Sequence, residues 1–377
     1  MLLLREDRKK KAHNIQNIKI IRIIKIILKK NHYHCPIKKS KRNKMNLKVG
    51  LLGGGSWGTT VASLTARNCP TTLWARNQAT VDDINNNHRN EKYLPGATLP
   101  KTLKAANTIE ETVKDADVII MGIPAQHFRS VLQKARPHIR PWVPIVSLAK
   151  GLEQGTMMRM TQIIEEEMPG HPAGVLTGPN LAKEISKGQA AAAVIAMVDD
   201  TIATRLQGIF STGLFRVYTN EDVVGCELGG ALKNIIAIAT GMGDGANAGD
   251  NTKAAVITRG LAELTRLGVA MGGRPLTFSG LAGMGDLVAT CSSSTSRNRT
   301  VGFQLGKGRK LDEIIKEMNE VAEGVKTTGV VIELAKKYGV KMPIATEVYK
   351  VLYEGNTVQD AFRGLIRQEV GAESEPG

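Results

Sequence analysis

Leu47-Lys-Val-Gly-Leu-Leu-Gly-Gly-Gly-Ser-Trp-Gly58 decides the fold. Residues 47–52 read as a short strand of a buried parallel sheet, because apolar side chains occupy both faces. Gly53, Gly55 and Gly58 then follow in G-x-G-x-x-G spacing, and residues 59–67 read as a helix. In such a turn the first glycine permits the tight bend, the second lets backbone approach a pyrophosphate, and the third lets helix and strand pack closely. The helix N-terminus then presents its unpaired N–H groups to phosphate. Glycine turns are common in a chain with 39 glycines. The strand before the motif and the helix after it give the motif its weight.

The next strand, residues 71–75, ends at Arg76 and Asn77. A site selective for NAD wants an Asp or Glu at this point, accepting from the ribose 2′-hydroxyl. The first acid after Arg76 is Asp82. A guanidinium suits a 2′-phosphate, so the expected cofactor is NADP, with NAD the alternative.

Further apolar runs at 118–122, 145–148, 191–198 and 215–219 alternate with helical stretches, the pattern of a doubly wound sheet. Beyond Glu221 long helical periodicities take over, at 253–267, 311–318 and 330–338. The expected class is α/β, with a Rossmann-like doubly wound N-terminal domain at 46–225. An all-helical substrate and catalytic domain follows at 226–370, then a polar tail at 371–377. Substrate and nicotinamide would meet in the cleft between the two domains.

The 377 residues carry a net charge of +16, but its distribution argues against nucleic acid. Residues 1–44 hold 15 Lys or Arg against Glu6 and Asp7, net +13; the other 333 residues are net +3. The body is therefore nearly neutral, and nucleic-acid binding is not expected. Residues 1–45 read as a basic extension, disordered or preceding the native start at Met45. A targeting role or contact with a membrane surface are the alternatives. No transmembrane segment is expected. Cys35, Cys69, Cys226 and Cys291 form no C-x-x-C pair, which indicates neither a disulfide framework nor a zinc site and fits a cytoplasmic location. Residues 243–251 read as a flexible polar loop without calcium-binding spacing.

Lys233 stands in Gly229-Gly-Ala-Leu-Lys-Asn-Ile-Ile-Ala-Ile-Ala-Thr-Gly241, a lone ammonium in an apolar run. It must either reach out to water or work in a cleft. Asp286 closes a glycine-rich turn, Gly280-Leu-Ala-Gly-Met-Gly-Asp286, and could face the same cleft or cap the helix after it. Ser296-Arg-Asn298 offers a hydroxyl, a guanidinium fork and an amide in succession, a set that suits a phosphate ester.

Together with Lys150-Gly-Leu-Glu153 and Thr177-Gly-Pro-Asn180, these motifs make residues 46–365 closely similar to the NAD(P)-dependent glycerol-3-phosphate dehydrogenases of the bacterial type. The resemblance implies interconversion of dihydroxyacetone phosphate and sn-glycerol 3-phosphate for phospholipid synthesis, by a homodimer without a metal. It implies Lys233 as the catalytic lysine. Ser56, Trp57, Arg76, Ala182, Val321 and Glu323 match cofactor contacts. Lys150 and Arg297 match positions near both cofactor and substrate. Gly178, Asn180, Asp286, Ser296 and Asn298 match substrate-site positions. Asn180 replaces the Ser or Thr of many members, and the family lacks the extension before Met45. A β-hydroxyacid dehydrogenase or a ketopantoate reductase is the runner-up reading.

Overall fold

A computed structural model of the chain describes residues 47–318 and 322–367. The basic extension, Val321 and the polar tail lie outside the described residues. Among the described residues eight strands are formed: β1 (Val49–Leu52), β2 (Thr71–Trp74), β3 (Leu103–Ala106), β4 (Val118–Met121), β5 (Ile145–Ser147), β6 (Ala173–Thr177), β7 (Ala191–Met197) and β8 (Phe215–Asn220). They make one sheet in the order β3-β2-β1-β4-β5-β6-β7-β8. The first six strands run parallel. β7 is antiparallel to β6, and β8 is parallel to β7.

β1 and β4 are buried at every residue, as their uninterrupted apolar sequences require. Leu51 is in register with Leu73 on one side and Ile120 on the other. The chain leaves β1 toward β2 and β3, then returns to place β4 on β1's opposite side. Such a reversal of strand order marks the carboxyl ends of β1 and β4 as the place where open α/β sheets bind ligands. Two strands, β3 and β6, were not expected from sequence. Each carries alanine or glycine where β-branched residues would give the signal, and each forms by pairing with an established neighbour.

From Val223 onward the described residues are helical. The helix Val223–Gly245 is capped by Asp222, whose carboxylate accepts from Gly225 N at 2.8 Å. It is long and apolar enough to cross a membrane, but 89% of its apolar window is buried inside the protein, as in the core helix of a globular fold. The helices Asp250–Ala270, Asp286–Ser292, Arg297–Gly306 and Glu323–Tyr338 pack around it. It is thus the core of the helical region.

The expected polar loop at 243–251 is largely absent. The central helix runs through Gly245, and the next helix starts at Asp250. The reason is a close helix crossing. A Cβ on Gly241 or Gly245 would strike the carbonyls of Arg299 or Phe303. One on Gly302 or Gly306 would strike those of Ile238 or Met242. Glycine at four-residue spacing on both helices serves backbone approach here, not chain breaking. Asp244 inside this helix binds Arg299 Nε at 2.8 Å and Lys253 at 3.0 Å.

Candidate active site

The first half of the site is the turn after β1. Gly53 has φ +121°, a conformation that L side chains rarely adopt. A Cβ there would meet the Gly122 carbonyl, and one on Gly58 would meet Gly53's. A Cβ on Gly55 would meet nothing within 4 Å, so the turn is open on that side. Gly55 precedes the helix Ser56–Thr65, which has no side-chain cap and no acid in its first turn. Ser56 Oγ donates to Tyr93 O at 2.8 Å. Trp57 packs on Phe215 with ring centroids 6.4 Å apart, and its buried Nε1 has no partner among the described residues. The helix Ala182–Ser186 packs against Ser56–Thr65.

Arg76 is exposed at the end of β2. Its neighbour Ala75 abuts Gly54, whose Cβ would lie 2.9 Å from that of Ala75. An open backbone turn, a helix N-terminus with no side-chain cap and an exposed arginine after β2 fit a dinucleotide.

The second half is a buried charge cluster on the helical region. Asp286 begins the helix Asp286–Ser292 and is 2% exposed. One carboxylate oxygen lies 3.2 Å from Lys233 Nζ, the other 2.7 Å from Lys150 Nζ. The carboxylate therefore bridges two lysines, and any capping it provides is secondary. Lys233 is 4% exposed and also donates to Thr290 Oγ1 at 2.6 Å and to Asn234 Oδ1 at 3.1 Å. Burial pulls its pKa down to about 8; Lys150 adds to this and Asp286 opposes it. Lys150 reaches across from the loop after β5 and donates to Gly178 O at 2.8 Å as well. Two ammonium groups and one carboxylate leave the cluster with a formal charge of +1, suited to an anionic ligand.

Other expected residues are brought to the same place with different contacts. Asn298 is buried and its amide is bonded to neighbouring residues. Its Nδ2 donates to Asn234 Oδ1 at 2.9 Å, and its Oδ1 accepts from Gly324 N at 3.0 Å. Ser296 caps the helix Arg297–Gly306 by accepting from Arg299 N at 3.3 Å. Arg297 is exposed at the first position of that helix, next to Asn298. Glu323 accepts from Ala125 N at 2.9 Å and from Lys150 N at 3.2 Å, which ties the helical region to the sheet.

Both polar atoms of the Asn180 side chain are buried without a partner among the described residues, and so are Thr177 Oγ1 and Thr327 Oγ1. Thr177 and Lys150 border the same glycine, Gly230, one turn before Lys233. Unpaired buried polar atoms are costly, and a ligand that pairs them recovers that energy. Sequence reasoning missed Thr177, Asn234, Thr290 and Thr327 as site residues. Asn234 adjoins Lys233, and Thr290 lies one helical turn after Asp286; those were the available signals.

Two family models match the chain. They are described as NAD-dependent glycerol-3-phosphate dehydrogenase N-terminus, over residues 48–203, and C-terminus, over residues 222–363. A glycerol-3-phosphate dehydrogenase (NAD(P)+) of Sphingopyxis alaskensis is 62% identical over 333 residues, covering 88% of this chain and 100% of that protein. One from Mycobacterium avium is 58% identical over 327 residues, covering 86% and 96%. Among solved structures, the glycerol-3-phosphate dehydrogenase of Coxiella burnetii superposes with a TM-score of 0.81 at 35% identity, covering 86% of this chain and 99% of that one.

Proposed function

The chain belongs to the NAD-dependent glycerol-3-phosphate dehydrogenase family, and from that premise we propose how its residues carry the reaction. The enzyme is an NAD(P)-dependent oxidoreductase that interconverts dihydroxyacetone phosphate and sn-glycerol 3-phosphate. The ketopantoate and β-hydroxyacid reductase readings are set aside by the same relatives.

The observation that carries the mechanism is Asp286 held between Lys233 and Lys150. The dinucleotide, when bound, supplies or accepts the hydride. Gly53, Gly55 and Gly58 form its cradle, with Ser56, Trp57, Ala182 and Glu323 around it. Arg76 selects NADP over NAD through the 2′-phosphate. Lys233 donates a proton from Nζ to the substrate carbonyl oxygen in reduction and takes the hydroxyl proton in oxidation. A pKa of about 8 lets one amine do both near neutral pH. Asp286 holds Lys233 and Lys150 in register. Asn298 acts through Asn234, which also donates to Lys150 O at 3.0 Å. Arg297 binds the substrate phosphate by its planar fork, and Gly178, Asn180 and Ser296 supply further polar contacts.

The product serves glycerophospholipid synthesis. Cys69, Cys226 and Cys291 are free and buried, which supports a reducing cytoplasm. The homodimer is inferred from family membership. An assay that follows nicotinamide absorbance with dihydroxyacetone phosphate, run with NADPH and then with NADH, tests this reading. Turnover with neither cofactor would end it.

A further inference from the structure

Asn90 lies on the segment between β2 and β3, beyond Arg76, and folds back onto the glycine turn. Its side chain is 1% exposed. Nδ2 donates to the Gly54 carbonyl oxygen at 3.0 Å and to Thr59 Oγ1 at 2.8 Å. Thr59 Oγ1 donates in turn to the same carbonyl at 3.2 Å. Two donors thus converge on one backbone oxygen. The segment that delivers Asn90 is itself anchored. Leu94 N bonds to Asn90 O at 2.8 Å, and Leu99 N bonds to His88 O at 2.8 Å.

A trans peptide sets its C=O and the following N–H on opposite sides of the chain. Where the Gly54 oxygen is held, the Gly55 N–H must point the other way. Asn90 and Thr59 hold that oxygen, so the Gly55 N–H is directed away from those two side chains, at a residue whose Cβ position has nothing within 4 Å. A peptide between two glycines has little steric preference of its own, so these side-chain bonds bear directly on its orientation. A flipped peptide would aim a carbonyl at an incoming anion and turn a donor away. The Asn90 amide, together with the Thr59 hydroxyl it also binds, therefore sets whether the turn presents a donor or a carbonyl to phosphate.

We infer that Asn90 is a positioning residue for the dinucleotide, setting the Gly54–Gly55 peptide so that the Gly55 N–H meets the pyrophosphate. The inference rests on the dinucleotide reading of the turn. It requires a donor in particular, since both bonds leave the same Nδ2. Aspartate has the same shape and, when ionised, no donor.

The test compares the parent chain with Asn90→Asp and Thr59→Val by NADPH fluorescence titration and steady-state kinetics. Asn90→Asp should raise the NADPH Kd and KM at least about tenfold, with the effect concentrated in these and turnover at saturating NADPH changed by less than about threefold. Lowering the pH from about 8 to about 6 protonates the introduced buried carboxyl, restores one donor, and should return the Kd toward the parent value. Lost packing would give no such recovery. Thr59→Val removes one of the two donors, should raise the Kd about threefold, and gives the reading if Asn90→Asp does not fold. Parent-like NADPH affinity in both folded variants overturns the inference, as does a loss confined to turnover. A parent chain that binds neither NADPH nor NADH overturns the dinucleotide reading and this inference with it.

Discussion

The ammonium of Lys233 lies 3.2 Å from the Asp286 carboxylate, with the two residues only 4% and 2% exposed. Such a pair normally raises a lysine's pKa, yet burial wins and brings Lys233 down to about 8. The second lysine explains part of this, since Asp286 is shared with Lys150 at 2.7 Å. The shared carboxylate keeps Lys233 charged at neutral pH without locking its proton in place.

A pH profile follows from that balance. Reduction needs protonated Lys233, so its rate should fall as pH rises through about 8. Oxidation needs the free amine and should rise through the same range. Asp286→Asn removes the group that favours the charged form, so Lys233 should lose its proton at lower pH. The alkaline limb of dihydroxyacetone phosphate reduction should then move to lower pH. An unmoved limb in the variant would separate Asp286 from the control of Lys233.

Arg76 should govern cofactor choice. It is exposed at the end of β2 beside the glycine turn. Arg76→Asp removes a charge-assisted contact and places a like charge near the 2′-phosphate. The loss should be about 1.5–3 kcal/mol, or tenfold and more in NADPH affinity. NADH should be affected less or used better. Equal effects on the two cofactors would show that Arg76 does not read the 2′ position.

Arg297 should show its role in the substrate's Michaelis constant. Arg297→Lys keeps the charge but loses the fork, and should still raise the KM for dihydroxyacetone phosphate. Inorganic phosphate should compete with substrate in the parent enzyme. A normal KM in Arg297→Ala would remove the assignment.

Most of the fold was legible because buried parallel strands are written as apolar runs, as in Val118-Ile-Ile-Met121. β3 was not, because Leu103-Lys-Ala-Ala106 has no strand signal of its own and depends on β2. Residues 243–251 misled for a different reason. Glycine marks both a loop and a close helix crossing, and only the partner glycines at 302 and 306 distinguish them. At the site, Lys233 stood out as a cation in an apolar helix. Its coupling to Lys150 did not, since 136 residues separate Lys150 from Asp286 and only topology joins them. The buried hydroxyls of Thr177 and Thr327 gave no sequence signal, because threonine at a strand end or in a helix is unremarkable until its missing partner is seen.

Glu263 should make stability depend on pH. It is 2% exposed and accepts from Ile344 N at 2.7 Å and Ala345 N at 3.2 Å, at the start of the helix Pro343–Tyr353. Burial raises its pKa to about 7, although those N–H groups oppose the shift. The folded state therefore holds this proton more tightly than the unfolded chain. That contribution is fully present below about 4.5 and is lost as pH rises through about 7. The gap corresponds to about 3 kcal/mol at most. Glu263→Gln keeps a carbonyl acceptor and cannot ionise. Its Tm should gain on the parent's as pH rises from about 5 to about 8. Parallel Tm curves for the two proteins would contradict this.

Lys233 is the most exacting case. It sits on the central helix with its ammonium bound by Asp286, Thr290 and Asn234, each of which fixes where a proton can be delivered. Acid–base groups contribute about 10²–10⁴-fold, so Lys233→Ala should lower turnover by at least that much. Lys233→Arg should not restore it, because a guanidinium holds its proton at any working pH. NADPH affinity, measured by fluorescence, should be nearly unchanged in both variants, since the proposed role of Lys233 is toward substrate. This combination matters more than the rate alone. A folded Lys233→Ala protein that turns over within about fivefold of the parent falls short of the acid–base range and would reduce Lys233 to a buried structural lysine. One that loses NADPH affinity together with turnover would shift the role of Lys233 from proton transfer to holding the dinucleotide side of the cleft.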